Sequence, residues 1–268
     1  MLFISSNVSS HQIHDDFHEK VKHGYTLIDG GKGTEAFALF MDIFEKEQPA
    51  ERAYAAFFVA CFILEERGNV DAIETLMQKH EKGIPAILKR DFLMMRARAR
   101  FNAARYSESL LDVDKCLEMN QKDDDARYLK AKNLSKIGKT KESIELLETL
   151  QEKKGGHSDS AVLLAKLYYR EGNYGKSYKT MMNYYSIHDP DYFVLGSLAQ
   201  KARLYSEAVR WFEKKLDSDP EHVVTRFNLS LALWDLDKKD EAKKHISYLR
   251  GKNAAHPLVQ KWDRINLQ

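Results

Sequence analysis

The chain has 268 residues, enough for a large buried interior, and its 42 basic and 40 acidic side chains nearly cancel. That balance argues against a general nucleic-acid binder and against a self-repelling acidic tail. Two cysteines, Cys61 and Cys116, are too few for a disulfide framework, and no apolar run approaches the roughly 18 residues of a membrane span.

Residues 1–16 are rich in Ser, His and Asp and read as a flexible lead. Residues 1–10 carry no Lys or Arg, so the charged part of a secretory signal is missing and a cytoplasmic protein is expected. From residue 17 a helical pattern begins to repeat. Small residues recur at Ala36, Ala72, Ser109, Ser143, Ser177, Ala208 and Ala242, at intervals of 31 to 37 residues. Such a period predicts seven helix pairs, near 17–52, 53–89, 90–123, 124–157, 158–188, 189–222 and 223–256.

Two further columns keep the same register. Four residues after each anchor stand Phe40, Leu76, Val113, Leu147, Met181, Phe212 and Ile246, one helical turn onward and all apolar. Twelve residues before stand Gly24, Ala60, Ala97, Ala131, Ala165, Gly196 and Ser230, all small, which lets the paired helices approach closely. Gly31, Gly68, Gly138 and Gly172 fall where a helix must stop and reverse, while repeats three, six and seven have no glycine there. Residues 257–268 are predicted as a capping helix with Leu258, Trp262 and Ile265 at near-helical spacing.

The clearest unit, 189–222, contains Tyr192, Leu195, Gly196, Ala208, Phe212 and Pro220. This order resembles the tetratricopeptide-repeat pattern W-x2-L-G-x2-Y, A-x3-F and P, with Tyr for Trp and Ala199 for the second aromatic. The resemblance covers about residues 17–256 and is strongest over 124–222. Three residues depart from it: His23 in repeat one, and Arg96 and Arg100 at normally buried positions of repeat three. It implies an all-α, right-handed α-solenoid of stacked antiparallel helix pairs, continuous over 17–256 and closed by the C-terminal helix.

Little in the sequence points to catalysis. His11, His14 and His18 are spaced like a cluster, yet no cysteine or carboxylate set completes a ligand shell. Gly30, Gly31 and Gly33 beside Lys32 and Thr34 lack both the spacing and the preceding strand of a phosphate loop. Cys61 lies among Phe57, Phe58, Phe62 and Leu64, and Cys116 falls on a helix-packing face, so both read as inert apolar side chains. No enzyme activity, metal or cofactor is expected.

The resemblance implies that the first helix of each pair lines a concave groove where partners bind. On those helices Arg98, Lys132, Lys136, Lys166, Arg170 and Lys201 form a basic stripe through the middle repeats, beside Tyr128, Tyr169 and Phe193. A partner segment with acidic and apolar residues suits such a groove, as for an adaptor or co-chaperone-like assembly factor. The clamp by which some relatives of this family hold chaperone termini needs paired asparagines, which are absent at the corresponding positions. The stripe reads equally as a solvated helix face, with Asp91, Asp125 and Asp159 nearby. Other readings are a sensor closing around a small peptide or acidic ligand, and an RNA-binding helical-repeat protein. Residues 53–64 are apolar on nearly every side, so Tyr54, Phe57, Phe58 and Leu64 are either covered by the amino-terminal segment or form a second surface for a partner or for self-association.

Overall fold

A computed structural model of the chain describes residues 6–151 and 158–266, with side chains over 16–151 and 159–265. Among the described residues every regular element is helical. The chain divides into two compact units, Met1–Lys139 and Thr140–Gln268. The division falls at the turn of the fourth repeat, inside the stretch expected as one body. The expected boundary at residue 157 lies outside the described residues.

In the first unit α1 (Ser6–Asp29) pairs with α2 (Gly33–Lys46), α3 (Ala50–Glu66) with α4 (Val70–His80) and α5 (Ala86–Asn102) with α6 (Tyr106–Met119), followed by α7 (Asp124–Lys136). Helix α1 runs back through most of the lead that the sequence separates from repeat one. In the second unit α8 (Thr140–Gln151) packs on α9 (Ser158–Arg170), which pairs with α10 (Tyr174–Tyr184). Helix α11 (Tyr192–Lys201) pairs with α12 (Tyr205–Ser218) and α13 (Val223–Asp235) with α14 (Lys239–Lys252); α15 (Pro257–Asn266) packs against α14.

The reversals follow from backbone chemistry. Gly31, Gly68, Gly138 and Gly172 all adopt positive φ, from 68° to 84°. In each turn the next N–H closes back onto the helix, as from Lys139 to Leu134 O at 2.9 Å. Repeats three, six and seven make the same turn without glycine: Ala104, Arg203 and Asp237 take φ of 59° to 60°, and Arg105, Leu204 and Lys238 donate the equivalent bonds. Side chains cap the following helices, Asn69, Asp123, Asn173, Asp191 and His222 each accepting a backbone N–H three residues on.

The small and apolar columns meet inside the helix pairs. A Cβ on Gly24 comes within 2.6 Å of the Phe40 ring, and one on Gly196 within 2.5 Å of the Phe212 ring. Serine anchors add a bond across the same gap, Ser109 Oγ donating to Ala97 O at 2.7 Å and Ser177 Oγ to Ala165 O at 2.8 Å.

The arginines of repeat three do not break its packing. Arg96 donates to both oxygens of the buried Asp112 at 2.7 and 2.9 Å, while Arg100 reaches Asp112 and Glu74, each at 2.8 Å. Buried charge is tolerated when it is paired in this way. His23 is exposed.

Phe57 and Leu64 of the apolar stretch 53–64 are core and Tyr54 and Phe58 are half-buried against it, while Phe62 is left exposed. Phe57 is fully buried and stacks on Phe44 and Phe92, with ring centroids 4.7 and 5.4 Å apart. Phe58 packs edge-on against Phe92, Leu64 is buried, and the half-buried Tyr54 hydroxyl donates to His80 O at 3.2 Å. Helix α3 is apolar all round because α2, α4 and α5 all pack against it. Cys61 sits in the same cluster, and burial pushes its thiol up to about 12. At the carboxyl end Val259 and Trp262 are buried, the latter edge-on to Trp234 at 5.3 Å, whereas Ile265 is exposed.

Candidate binding site

Helix α9 sets three of the expected groove residues on successive turns of one face: Lys166 and Arg170 are four residues apart, with Tyr169 beside them. All three are exposed. The Asn173 cap starts α10 three residues after α9 ends, and the Asp191 cap, accepting from Val194 N at 3.1 Å, starts α11. Between them α10 is only 11 residues long, against 14 for α12 and α14.

Helices α11 and α13 pack directly, but between α9 and α11 that contact gives way to a cavity of about 560 Å³. Its walls are Val162 and Ala165 of α9, Met181 of α10, and Val194 and Leu198 of α11. Ser177 of α10, together with Lys166, Tyr169, Arg170, Tyr184, Tyr185, His188 and Asp189, completes the lining. Burial raises the Tyr185 hydroxyl above its ordinary pKa, which keeps it a neutral donor. His188 stacks on Tyr184 with centroids 4.2 Å apart, and its Nε2 is buried without a hydrogen-bond partner.

A second concavity of about 520 Å³ lies beside α11 and α13 and shares Tyr169 with the first. Ser197, Gln200 and Lys201 of α11 and Asn228, Leu231 and Asp235 of α13 line it, making it far more polar. Ser197 Oγ is buried without a partner there.

The expected basic stripe separates by pairing. Among the described residues Lys166, Arg170 and Lys201 have no carboxylate partner. Arg98 instead donates to both oxygens of Glu65 at 2.8 and 3.1 Å, so its charge is spent inside the first unit. Lys132 sits over the Phe101 ring at 4.4 Å and the Tyr128 ring at 5.7 Å, and Lys136 is exposed. Phe193 does not line the second unit's cavity; it turns into the core against Phe212, and its neighbours Val194 and Leu198 form the wall.

Tyr184, Tyr185 and His188 escaped the repeat columns because they lie at the last residue of α10 and in the connection after it. The signal for them was the shortest anchor interval, 31 residues, from Ser177 to Ala208. Among the described residues no three His, Cys, Asp or Glu side chains gather as metal ligands, and His11 and His14 lie outside the described side chains. No helix of the described residues is long and apolar enough to cross a membrane.

No family model matches the chain, and no curated protein matches it. Solved structures do. YrrB, described as a TPR protein with an unusual peptide-binding site, is 14% identical, with a TM-score of 0.57 over 73% of this chain and 99% of its own. MamA from Desulfovibrio magneticus is 13% identical, with a TM-score of 0.51 over 63% and 97%. A tetratricopeptide repeat protein from Parabacteroides merdae is 13% identical, with a TM-score of 0.50 over 88% and 79%. The chain therefore has the tetratricopeptide fold, and the likeness ends there.

Proposed function

We propose that this tetratricopeptide-fold chain is a protein-interaction scaffold, and that its second unit holds an extended partner segment carrying acidic and apolar side chains. The carrying observation is the set of cations with no carboxylate partner among the described residues, Lys166, Arg170 and Lys201, beside the 41% exposed ring of Tyr169. Cations left unneutralised at a concave surface attract acidic segments and orient them, while an exposed aromatic supplies contact area. The concavity of α11 and α13 suits a peptide main chain, because Gln200 and Asn228 offer hydrogen-bonding side chains between Tyr169 and Leu231. The peptide-binding site named for YrrB agrees with this reading. Lys132 and Lys136 of α7, beside Tyr128, form a separate basic stretch in the first unit.

Selection from a displayed random-peptide library tests it. Wild-type protein should enrich peptides that combine Asp or Glu with an apolar or aromatic residue, and Lys201→Glu should weaken the selected peptides about tenfold or more. Lack of enrichment, or equal affinity in the variant, would sink the reading.

A further inference from the structure

Beyond holding a peptide, we propose that the cavity between α9 and α11 is a site for a small amphipathic anion, a molecule with an aromatic or alkyl body and one carboxylate. Its volume of about 560 Å³ lies in the range of small-molecule sites, roughly 300 to 1,000 Å³. Of the walls, Val162, Ala165, Met181, Val194 and Leu198 carry no side-chain hydrogen-bonding group, and the buried Ser177 hydroxyl beside them already donates to Ala165 O. A peptide main chain pressed against them would leave its N–H and C=O groups unsatisfied, whereas an alkyl or aromatic body leaves nothing unmet.

The charge of the ligand follows from the remainder of the lining. Lys166 and Arg170 stand one helical turn apart and lack carboxylate partners among the described residues, against a single acid, Asp189. A cationic ligand would meet two like charges, and a neutral one would leave both unused. A carboxylate accepts the fork of an arginine and the ammonium of a lysine at once.

The cavity arises where the repeat is shortened. The anchors flanking it, Ser177 and Ala208, are three residues closer than the 34 that separate Ser143 from Ser177 or Ala208 from Ala242. The connection 185–191 then brings Tyr185 and His188 to the cavity instead of another turn of helix.

The full chain would be titrated with dansyl-labelled undecanoate, followed by fluorescence, and the bound probe challenged with decanoate or decanol. Saturable one-to-one binding is expected, displaced by decanoate and not by decanol at the same concentration. Lys166→Gln with Arg170→Gln, both on exposed residues, should weaken the probe about tenfold or more while leaving the thermal melt unchanged. Val194→Trp, which fills the cavity, should abolish binding. The proposal is overturned by absence of saturable binding, by decanol competing as well as decanoate, or by undiminished affinity in the charge variant. Should Val194→Trp fail to fold, the charge variant still decides. No peptide enters the titration, so a failed peptide selection leaves its result standing. Conversely, if Val194→Trp abolishes peptide binding and no free carboxylate binds, the cavity is a peptide subsite and the proposal falls.

Discussion

Glycine stands in the small column only where its partner in the apolar column is phenylalanine: Gly24 with Phe40, Gly196 with Phe212. Where that partner is Leu, Val or Met, alanine takes the place. Phe212 is fully buried, so its ring has little room to yield to a methyl group. Gly196→Ala should therefore destabilise the fold by about 1 to 2 kcal/mol, the overpacking cost outweighing the gain in helix propensity. Adding Phe212→Leu should recover about 1 kcal/mol of that loss, seen as a non-additive pair in urea unfolding. Full additivity would mean the two columns do not share the space. This complementarity was legible in the sequence, because both columns lie at fixed offsets from the anchors. The fate of the cations was less so. Arg98 and Lys166 each stand eleven residues before an anchor, yet Arg98 meets Glu65 from the preceding repeat, whereas the residue equivalent to Glu65 in the repeat before Lys166 is another cation, Lys136. A bond between repeats becomes visible only when a column is compared with the one before it.

Among the elements, the reversals separate what glycine makes easy from what the stack imposes. Ala104 adopts φ of 59° in the turn from α5 to α6, a conformation that costs a Cβ-bearing residue about 1 to 2 kcal/mol. Ala104 is exposed, so replacing it disturbs no packing. Ala104→Gly should raise stability by about 0.5 to 1 kcal/mol, the relief of strain being partly offset by the added freedom of the unfolded chain. Gly138→Ala, at φ of 84°, should lower it by about as much or more. Equilibrium denaturation of the two variants checks both signs, and a shift in the same direction for both would contradict the argument. The four glycine turns could be read directly from sequence. The other three could be inferred only from the period, which demands a reversal whether or not glycine is present. Helix α10 shows the converse: its shortness was visible as a 31-residue interval, but a spacing does not say whether the missing turn leaves a tight connection or a cavity.

At the scale of the whole molecule the period made the helix pairs legible, while the division into two units was not. It falls between α7 and α8, at a turn whose Gly138 looks like every other glycine turn, and no composition change marks it. In a repeat protein each element is held by its neighbours in the stack, so a local defect loosens the adjoining helices before distant ones. Gly196→Ala, placed in α11, should therefore show its loss of amide protection in α9 to α13, where the surrounding core of Leu195, Ala199, Phe212 and Phe227 lies. Helices α2 to α6, whose buried clusters are built from other residues, should keep their wild-type protection. Hydrogen exchange read by mass spectrometry on the two proteins distinguishes the cases. Uniform acceleration along the whole chain would mean that both units open in one cooperative event, whereas acceleration confined to the second unit means that the site-bearing helices can be loosened, or tightened by a ligand, without unfolding the first.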